Sequence, residues 1–257
     1  MNLQKENGIG WCDFTANPVR GKCLHNCPNC YAESIRQRFN LPAEISYNPN
    51  WFDWKQFKKF RKDHDGIRPR IFVGSMHDLF GNWVLSVEIK KVIGQCQLYP
   101  DCVFQFLTQN PARYSEFEWP NNCWLGTTIR RPAELGRYDD LAKIKSSVKF
   151  ISFEPLLQQT PVVIEKKYID WVIVGCETGY NARPCRIEWM KGIVEQCKAA
   201  GVPVFVKQTP VWKVGQRCFN SAEEAKLIFG EKCIPKKVIS KDMTDWTSSL
   251  IVREFPK

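Results

Sequence analysis

The chain has 257 residues, 44% hydrophobic and 25% charged, a balance that suits a globular enzyme with one substantial core. No window approaches about twenty apolar residues, and the opening MNLQKENGIGWCDF has neither an apolar signal core nor a small-residue cleavage site. A membrane partner is therefore excluded and a cytoplasmic protein expected. The net charge of +10 leaves two readings open, a nucleic-acid partner or a lysine-rich soluble surface.

In chain order, a first strand is expected within residues 14–20. The densest basic stretch follows at 54–62, with Arg68 and Arg70 beyond it. Its apolar residues Trp54, Phe57 and Phe60 predict a helix with a buried aromatic face and a basic outer face. A strand at 71–73 ends in Gly74-Ser75. A helix is expected over 86–98, with Ser86 as N-cap and Glu88 in its first turn. Strands at 102–107 and 123–126 end in Thr108-Gln109 and Thr127-Thr128. A helix is read at 132–144, then a strand at 148–153 ending in Glu154-Pro155. The strand at 171–174 ends in Gly175-Cys176-Glu177. A helix over 188–200 closes on Gly201, and a strand at 202–206 ends in Lys207-Gln208. The tail from Trp212 has weaker strand signal, with a short helix at 221–230 capped by Ser221 and Glu224.

Nearly continuous apolar strands alternating with helices predict an α/β fold whose parallel sheet is covered on both faces. Seven strands fit a (βα) TIM-type barrel, partial or complete, with a doubly wound open sheet as the alternative. Residues 1–211 are read as the barrel and 212–257 as a C-terminal extension of the same single domain. In a barrel the catalytic groups come from the carboxyl ends of the strands. Those ends are polar here: Ser75, His77, Asp78, Thr108, Gln109, Thr127, Glu154, Glu177, Lys207 and Gln208.

Twelve cysteines with no signal peptide argue against a disulfide framework. Nine stand singly (Cys12, Cys96, Cys102, Cys123, Cys176, Cys185, Cys197, Cys218 and Cys233), as small buried hydrophobes do. Cys23, Cys27 and Cys30 differ: they form C-x3-C-x2-C in a loop ahead of a helix. Thiolates at this spacing converge on one small inorganic centre. Three of them satisfy three irons of a cubane and leave the fourth iron open, which a catalytic centre requires. Two alternatives remain: a structural zinc site completed by Cys12 or His25, and a structural cluster with a distant fourth cysteine.

The motif, together with Gly10-Trp11-Cys12-Asp13, Asn17-Pro18-Val19, Cys30-Tyr31-Ala32, His77-Asp78-Leu79-Phe80, Ser152-Phe153-Glu154-Pro155-Leu156-Leu157 and Ala182-Arg183-Pro184, resembles the radical S-adenosylmethionine (SAM) superfamily. More narrowly it resembles the phage-associated (Gp37/Gp68-like) radical SAM family, distantly similar to spore photoproduct lyase. The resemblance runs from about residue 8 to 212. Asn29 departs from it, standing where an aromatic residue is common, and so does Cys176, where glycine is expected.

The resemblance implies a barrel of the radical SAM kind, with Cys23, Cys27 and Cys30 holding a [4Fe–4S] cluster. Its open iron would take SAM, and an external donor of flavodoxin or ferredoxin type would reduce it. Gly74, Ser75 and Met76 are then expected to contact SAM, against an ordinary strand-to-loop turn. Thr127, Thr128 and Glu154 would bind ribose hydroxyls or substrate, against strand-end capping for the threonines. His77 and Asp78 are read as an oriented imidazole for proton transfer or a substrate clamp, against a structural hydrogen bond. Lys207 would meet a substrate or SAM carboxylate, and Cys176 would return a hydrogen atom to a substrate radical, as a cysteine does in spore photoproduct lyase. Arg183 and Arg130-Arg131 are candidate anion contacts. The expected function is a radical SAM enzyme acting on a nucleic acid or nucleotide. The alternatives are the same chemistry on a peptide or small metabolite, and a non-catalytic zinc-stabilised nucleic-acid-binding module.

Overall fold

A computed structural model of the chain describes residues 1–4, 8–179, 182–214, 217–219, 221–229, 231, 234 and 236–256. It falls into two compact units, one formed by Met1–Thr128 with Gly136–Phe150, the other by Ile129–Leu135 with Ile151–Lys257.

The first unit holds strands β1 (Asn2–Leu3), β2 (Phe14–Ala16) and β3 (Val19–Arg20), helix α1 (Tyr31–Arg38), β4 (Ser46–Tyr47), α2 (Trp54–Asp63), β5 (Arg70–Val73), α3 (Ser86–Gln97), β6 (Val103–Thr108), β7 (Cys123–Thr128) and α4 (Gly136–Ala142). In its sheet the order is β1-β2-β5-β6-β7. β2, β5, β6 and β7 run parallel, and β1 joins the edge antiparallel. The expected strand over 14–20 is split in two. β2 joins the main sheet, whereas β3 pairs antiparallel with β4 in a separate ribbon. Asn17-Pro18 lies at the break, where proline has no N–H for a ladder. The ribbon ties off an excursion of the chain that carries the cysteine motif and α1.

The core of this unit lies in β2, β5, β6 and β7: Phe14, Ile71, Phe72, Phe104, Phe106 and Leu125 are all buried. Each such side chain contributes about 1.5–3 kcal/mol by leaving water. Trp11 packs on Phe72 with ring centroids 4.6 Å apart, and Phe80, Tyr114 and Trp119 form a second aromatic cluster. α3 starts at Ser86 with Leu85 at the cap, so Ser86 is its first helical residue rather than its N-cap; its hydroxyl meets Glu116 instead. α2 departs from its expected aromatic face. Phe57 is buried, but Trp54 is 46% exposed, with Lys55 and Lys58 over its ring. Asp53 caps this helix through Lys55 N and Gln56 N.

β8 (Val148–Phe153) runs from the first unit into the second. The second unit continues with β9 (Trp171–Gly175), α5 (Ile187–Ala200), β10 (Val204–Val214), β11 (Arg217–Phe219), α6 (Ala222–Phe229) and β12 (Lys236–Ser240). β9 and β10 are parallel, and β10 pairs antiparallel with both β11 and β12. α5 buries Ile187, Met190, Ile193, Val194 and Cys197, a stripe at helical spacing, and ends on left-handed Gly201. The expected helix over 132–144 is broken instead into a 3-10 turn at Pro132–Glu134 and the separate α4. Ser221 caps α6 as expected, its hydroxyl accepting from Glu224 N, and Gly230 lies outside the described residues.

The fold is thus mixed α/β with a largely parallel sheet, and no closed barrel occurs among the described residues. No helix is long and apolar enough to cross a membrane among the described residues.

Candidate functional site

The three motif cysteines lie on the loop between β3 and α1. Gly21 opens this loop with φ +101°, and a Cβ there would stand 2.3 Å from the Glu44 carbonyl, so no other residue fits. Lys22 N donates to Ala43 O at 2.9 Å, tying the loop's start to the segment that leads into β4. Asn26 and Asn29 take positive φ, a conformation their short polar side chains tolerate. The resulting curl half-buries Cys23, His25, Cys27 and Cys30 while leaving Leu24, Asn26, Pro28 and Asn29 exposed. Asn29, which departs from the aromatic residue expected there, is therefore one of the residues that turns the loop.

Two side-chain bridges fasten this excursion to the carboxyl ends of the sheet strands. The His25 Nε2 atom lies 2.7 Å from the Asp78 carboxylate just past β5. The Tyr31 hydroxyl donates to the Ser75 carbonyl. The Asp78 carboxylate, only 8% exposed, also accepts from Thr108 Oγ1 at 2.8 and 2.9 Å, from Gln109 N at 2.9 Å and from Phe80 N at 2.9 Å. Burial alone would raise its pKa. The hydrogen bonds from His25, Gln109 and Thr108 and the charge of His25 outweigh that and hold the carboxyl below its ordinary value. Burial pushes the Cys23 thiol up, offset in part by backbone hydrogen bonds from Asp78 and His25. Cys27 accepts a hydrogen bond from Gln109 Nε2 at 3.0 Å.

Among the described residues no three His, Cys, Asp or Glu side chains stand close enough to hold one metal ion. A single tetrahedral ion, with metal–sulfur bonds near 2.3 Å, needs its sulfurs within about 4 Å of each other. A cluster binds each thiolate to a different iron and takes them wider apart. Three half-buried thiols on one loop are a donor set of the kind an iron–sulfur cluster takes.

The other expected residues divide by unit. Gly74 has φ +86°, and a Cβ there would meet the His77 carbonyl at 2.8 Å. Ser75 Oγ and Met76 N both donate to Asn17 Oδ1, at 3.3 and 2.9 Å, so Asn17 shapes the turn after β5. His77 and Asp78 make a structural hydrogen bond, the alternative to an oriented imidazole. The His77 ring is buried, receives Trp83 Nε1 on its Nε2 at 3.2 Å, and meets the Asp78 carbonyl, not the carboxylate, through Nδ1. Burial lowers its pKa. The partner of Asp78 is His25 instead. Thr127 is buried with its hydroxyl donating to Thr108 O at 2.9 Å, the strand-capping alternative, and the Thr128 carbonyl accepts from Arg137 at 2.8 Å.

In the second unit, Glu154 Oε1 takes both Lys207 Nζ at 2.6 Å and Gln208 Nε2 at 2.9 Å. Adjacent residues of a regular strand point to opposite faces. The register of β10 against β9 slips between Val206 and Gln208, and this bulge turns both side chains to one acceptor. Gln208 is 1% exposed, and its Oε1 has no partner. Cys176 is 1% exposed, with Sγ 3.6 Å from the Gln208 carbonyl; burial first, then the charges of Cys185 and Glu154, push its thiol well above the ordinary range. Arg183 is held bidentately by Glu177 at 2.9 and 2.6 Å, and Arg130 by Glu134 at 3.1 and 2.7 Å. Both guanidinium groups are thus paired with carboxylates in this structure. The single cysteines Cys12, Cys96, Cys102, Cys123, Cys185 and Cys197 are buried as expected; Cys233 and the side chain of Cys218 lie outside the described residues.

Fold and site together define a mixed α/β protein with a three-cysteine loop bridged to the carboxyl ends of parallel strands. Residues 6–241 match the model of the family described as Protein of unknown function (DUF5131), and the chain belongs to that family. No curated protein matches it. Among solved structures it is similar to one titled "Spore photoproduct lyase complexed with dinucleoside spore photoproduct", at 12% identity and a TM-score of 0.45, over 88% of this chain and 74% of that one.

Proposed function

We propose that the protein is a radical SAM enzyme of partial-barrel type whose cluster is held by Cys23, Cys27 and Cys30, and that its substrate is a nucleic acid or nucleotide. The observation that carries this reading is the cysteine loop's attachment to the ends of the parallel strands through His25–Asp78 and Tyr31–Ser75. That attachment ties the loop carrying three half-buried thiols to the Gly74–Met76 turn through Tyr31, and the motif resemblance assigns the same two segments to cluster and SAM. When bound, a cubane with one open iron supplies the electron for reductive cleavage of SAM, giving a carbon radical that takes hydrogen from a substrate.

The chain's own residues do the rest. Gly74 permits close backbone approach, and Asn17 fixes the peptide of Met76 at the turn where the SAM amino group would lie. Asp78 holds the loop through His25 rather than moving a proton itself. Burial keeps Cys176 as a thiol at neutral pH, the form from which a hydrogen atom is returned. Lys207, steered by the β10 bulge onto Glu154, is a cation that a substrate carboxylate or phosphate would draw away. Thr128 and Glu154 stay as ribose or substrate contacts, and Thr127 does so only if its hydrogen bond to the Thr108 carbonyl opens. The net charge of +10, with Lys55 and Lys58 flanking exposed Trp54, supports a polyanionic substrate. The electron would come from a small redox protein of flavodoxin or ferredoxin type.

The test is incubation of the anaerobically reconstituted, reduced protein with SAM and deuterated oligonucleotides. Formation of 5′-deoxyadenosine carrying deuterium supports the reading. No 5′-deoxyadenosine from a protein that holds a reducible cluster refutes it.

A further inference from the structure

Gln109 belongs to the strand-end polar set, one residue past β6, and it is anchored from three directions. Its backbone N–H donates to Asp78 Oδ2 at 2.9 Å. Its side-chain Oε1 accepts from Arg137 of α4 at 3.3 Å, while the same guanidinium donates to the Thr128 carbonyl at 2.8 Å. Its Nε2 donates to Cys27 Sγ at 3.0 Å. The arrangement fixes which way the amide faces. A flipped amide would set a carbonyl oxygen against the sulfur and an NH2 against the guanidinium, two repulsive contacts in place of two attractive ones.

We infer that Gln109 is a positioning residue that sets the reduction potential of the cluster: locked by Arg137, it presents an N–H to the Cys27 sulfur. This rests on the cluster assignment above. The physical reason is electrostatic. One-electron reduction adds negative charge to the iron–sulfur core and its thiolates, and a donor aimed at a ligating sulfur stabilises the more negative state. Hydrogen bonds to the sulfurs are among the factors that set such potentials. A half-buried amide held on both sides needs little reorganisation as that charge arrives, whereas a water or a free side chain would have to turn.

The chain thereby couples three elements to one sulfur. β6 supplies Gln109, α4 supplies Arg137, and the end of β7 supplies the Thr128 carbonyl that holds the guanidinium. Asp78 contributes twice, binding the Gln109 backbone and the His25 ring of the cysteine loop, so that donor and acceptor share one anchor.

The experiment is a potentiometric titration with dithionite of the reconstituted wild type, Q109L, Q109N and R137L, followed by absorbance and by EPR of the reduced state, with no SAM or substrate present. Q109L removes the donor and should make reduction harder by about tenfold in the equilibrium constant, which for one electron is about 59 mV. Q109N, whose shorter amide falls short of the sulfur, should shift the same way. R137L keeps the amide but unlocks it, and should give a smaller shift of the same sign. The potential is read only from protein that holds a cluster, so reduced loading in a variant does not mask the result. Unchanged potentials in Q109L and Q109N on a loaded wild-type background overturn this inference and leave the proposed function standing. A wild type that assembles no cluster overturns both.

Discussion

Replacing Asp78 by alanine tests whether the cysteine loop is held from below by one carboxylate. The side chain accepts from His25, Thr108 and the backbone amides of Phe80 and Gln109, all between 2.7 and 2.9 Å. Alanine leaves four donors facing a space with no acceptor. Each buried donor left unsatisfied costs about 1–3 kcal/mol. Water can reach the His25 side, whose side chain is 21% exposed, so the costs do not add in full. We expect a loss of about 3–5 kcal/mol, the range for breaking a buried charged network, and a fall in Tm on the order of 10 °C for a chain of this size. D78N keeps one carbonyl oxygen for the backbone amides and should lose about half as much.

The pH dependence has a definite sign. A carboxyl whose folded pKa is lowered contributes stability above its unfolded value and loses it as pH falls through the folded value. The wild type should therefore weaken as acid passes below the ordinary carboxylate range, and D78A should show a shallower acid limb. The assay is urea unfolding of the metal-free protein, followed by tryptophan fluorescence across that pH range. A D78A midpoint corresponding to less than about 1 kcal/mol of loss, or an acid limb parallel to the wild type's, refutes the reasoning.

Three further outcomes follow from the geometry. G74A should destabilise the metal-free protein by about 2 kcal/mol in urea, because an L side chain is strained at φ +86° and its Cβ would press on the His77 carbonyl; a neutral result means the turn after β5 relaxes freely. E154A should cost about 2–4 kcal/mol by stranding Lys207 and leaving the Gln208 amide only the Cys176 carbonyl, and E154A/K207M should recover part of that loss in a double-mutant cycle; strict additivity contradicts the pair. Lys55, Lys58 and Lys62 are exposed and in no ion pair among the described residues. If they meet the phosphates of a single strand, changing all three to alanine should flatten the slope of log affinity against log salt by about 2, and an unchanged slope removes α2 from the binding surface.

The sequence was most legible where one local rule decides the outcome. The strands from β5 to β9 were visible as apolar runs, and α5 with its Gly201 stop combined periodicity with a left-handed cap. It was less legible where tertiary partners choose. Trp54 sits at helical spacing with Phe57, yet it turns outward to its lysines while Phe57 packs on Phe52. The strand expected over 14–20 divides at Asn17-Pro18 into two strands of different sheets. In the candidate site, the cysteine spacing and the polar strand ends pointed to segments that meet in the structure, but not to who pairs with whom. Adjacent His77 and Asp78 left an oriented imidazole and a structural hydrogen bond both open, and the carboxylate reaches across 53 residues to His25. Lys207 and Gln208 meet one acceptor only because β10 bulges. Asn17 and Tyr31 were marked only as members of resembling motifs and Arg137 not at all; their roles come from chain segments that meet only on folding.

The central claim is that three thiols hold a cluster with a corner left for SAM. The most direct measurement is iron and sulfide content after anaerobic reconstitution, joined to the EPR spectrum of the reduced protein with and without SAM. The account predicts a brown protein with about four irons per chain, a spectrum that changes when SAM is added, and loss of both in C23S, C27S and C30S. A colourless protein carrying a single zinc, or a cluster whose spectrum ignores SAM, would contradict it.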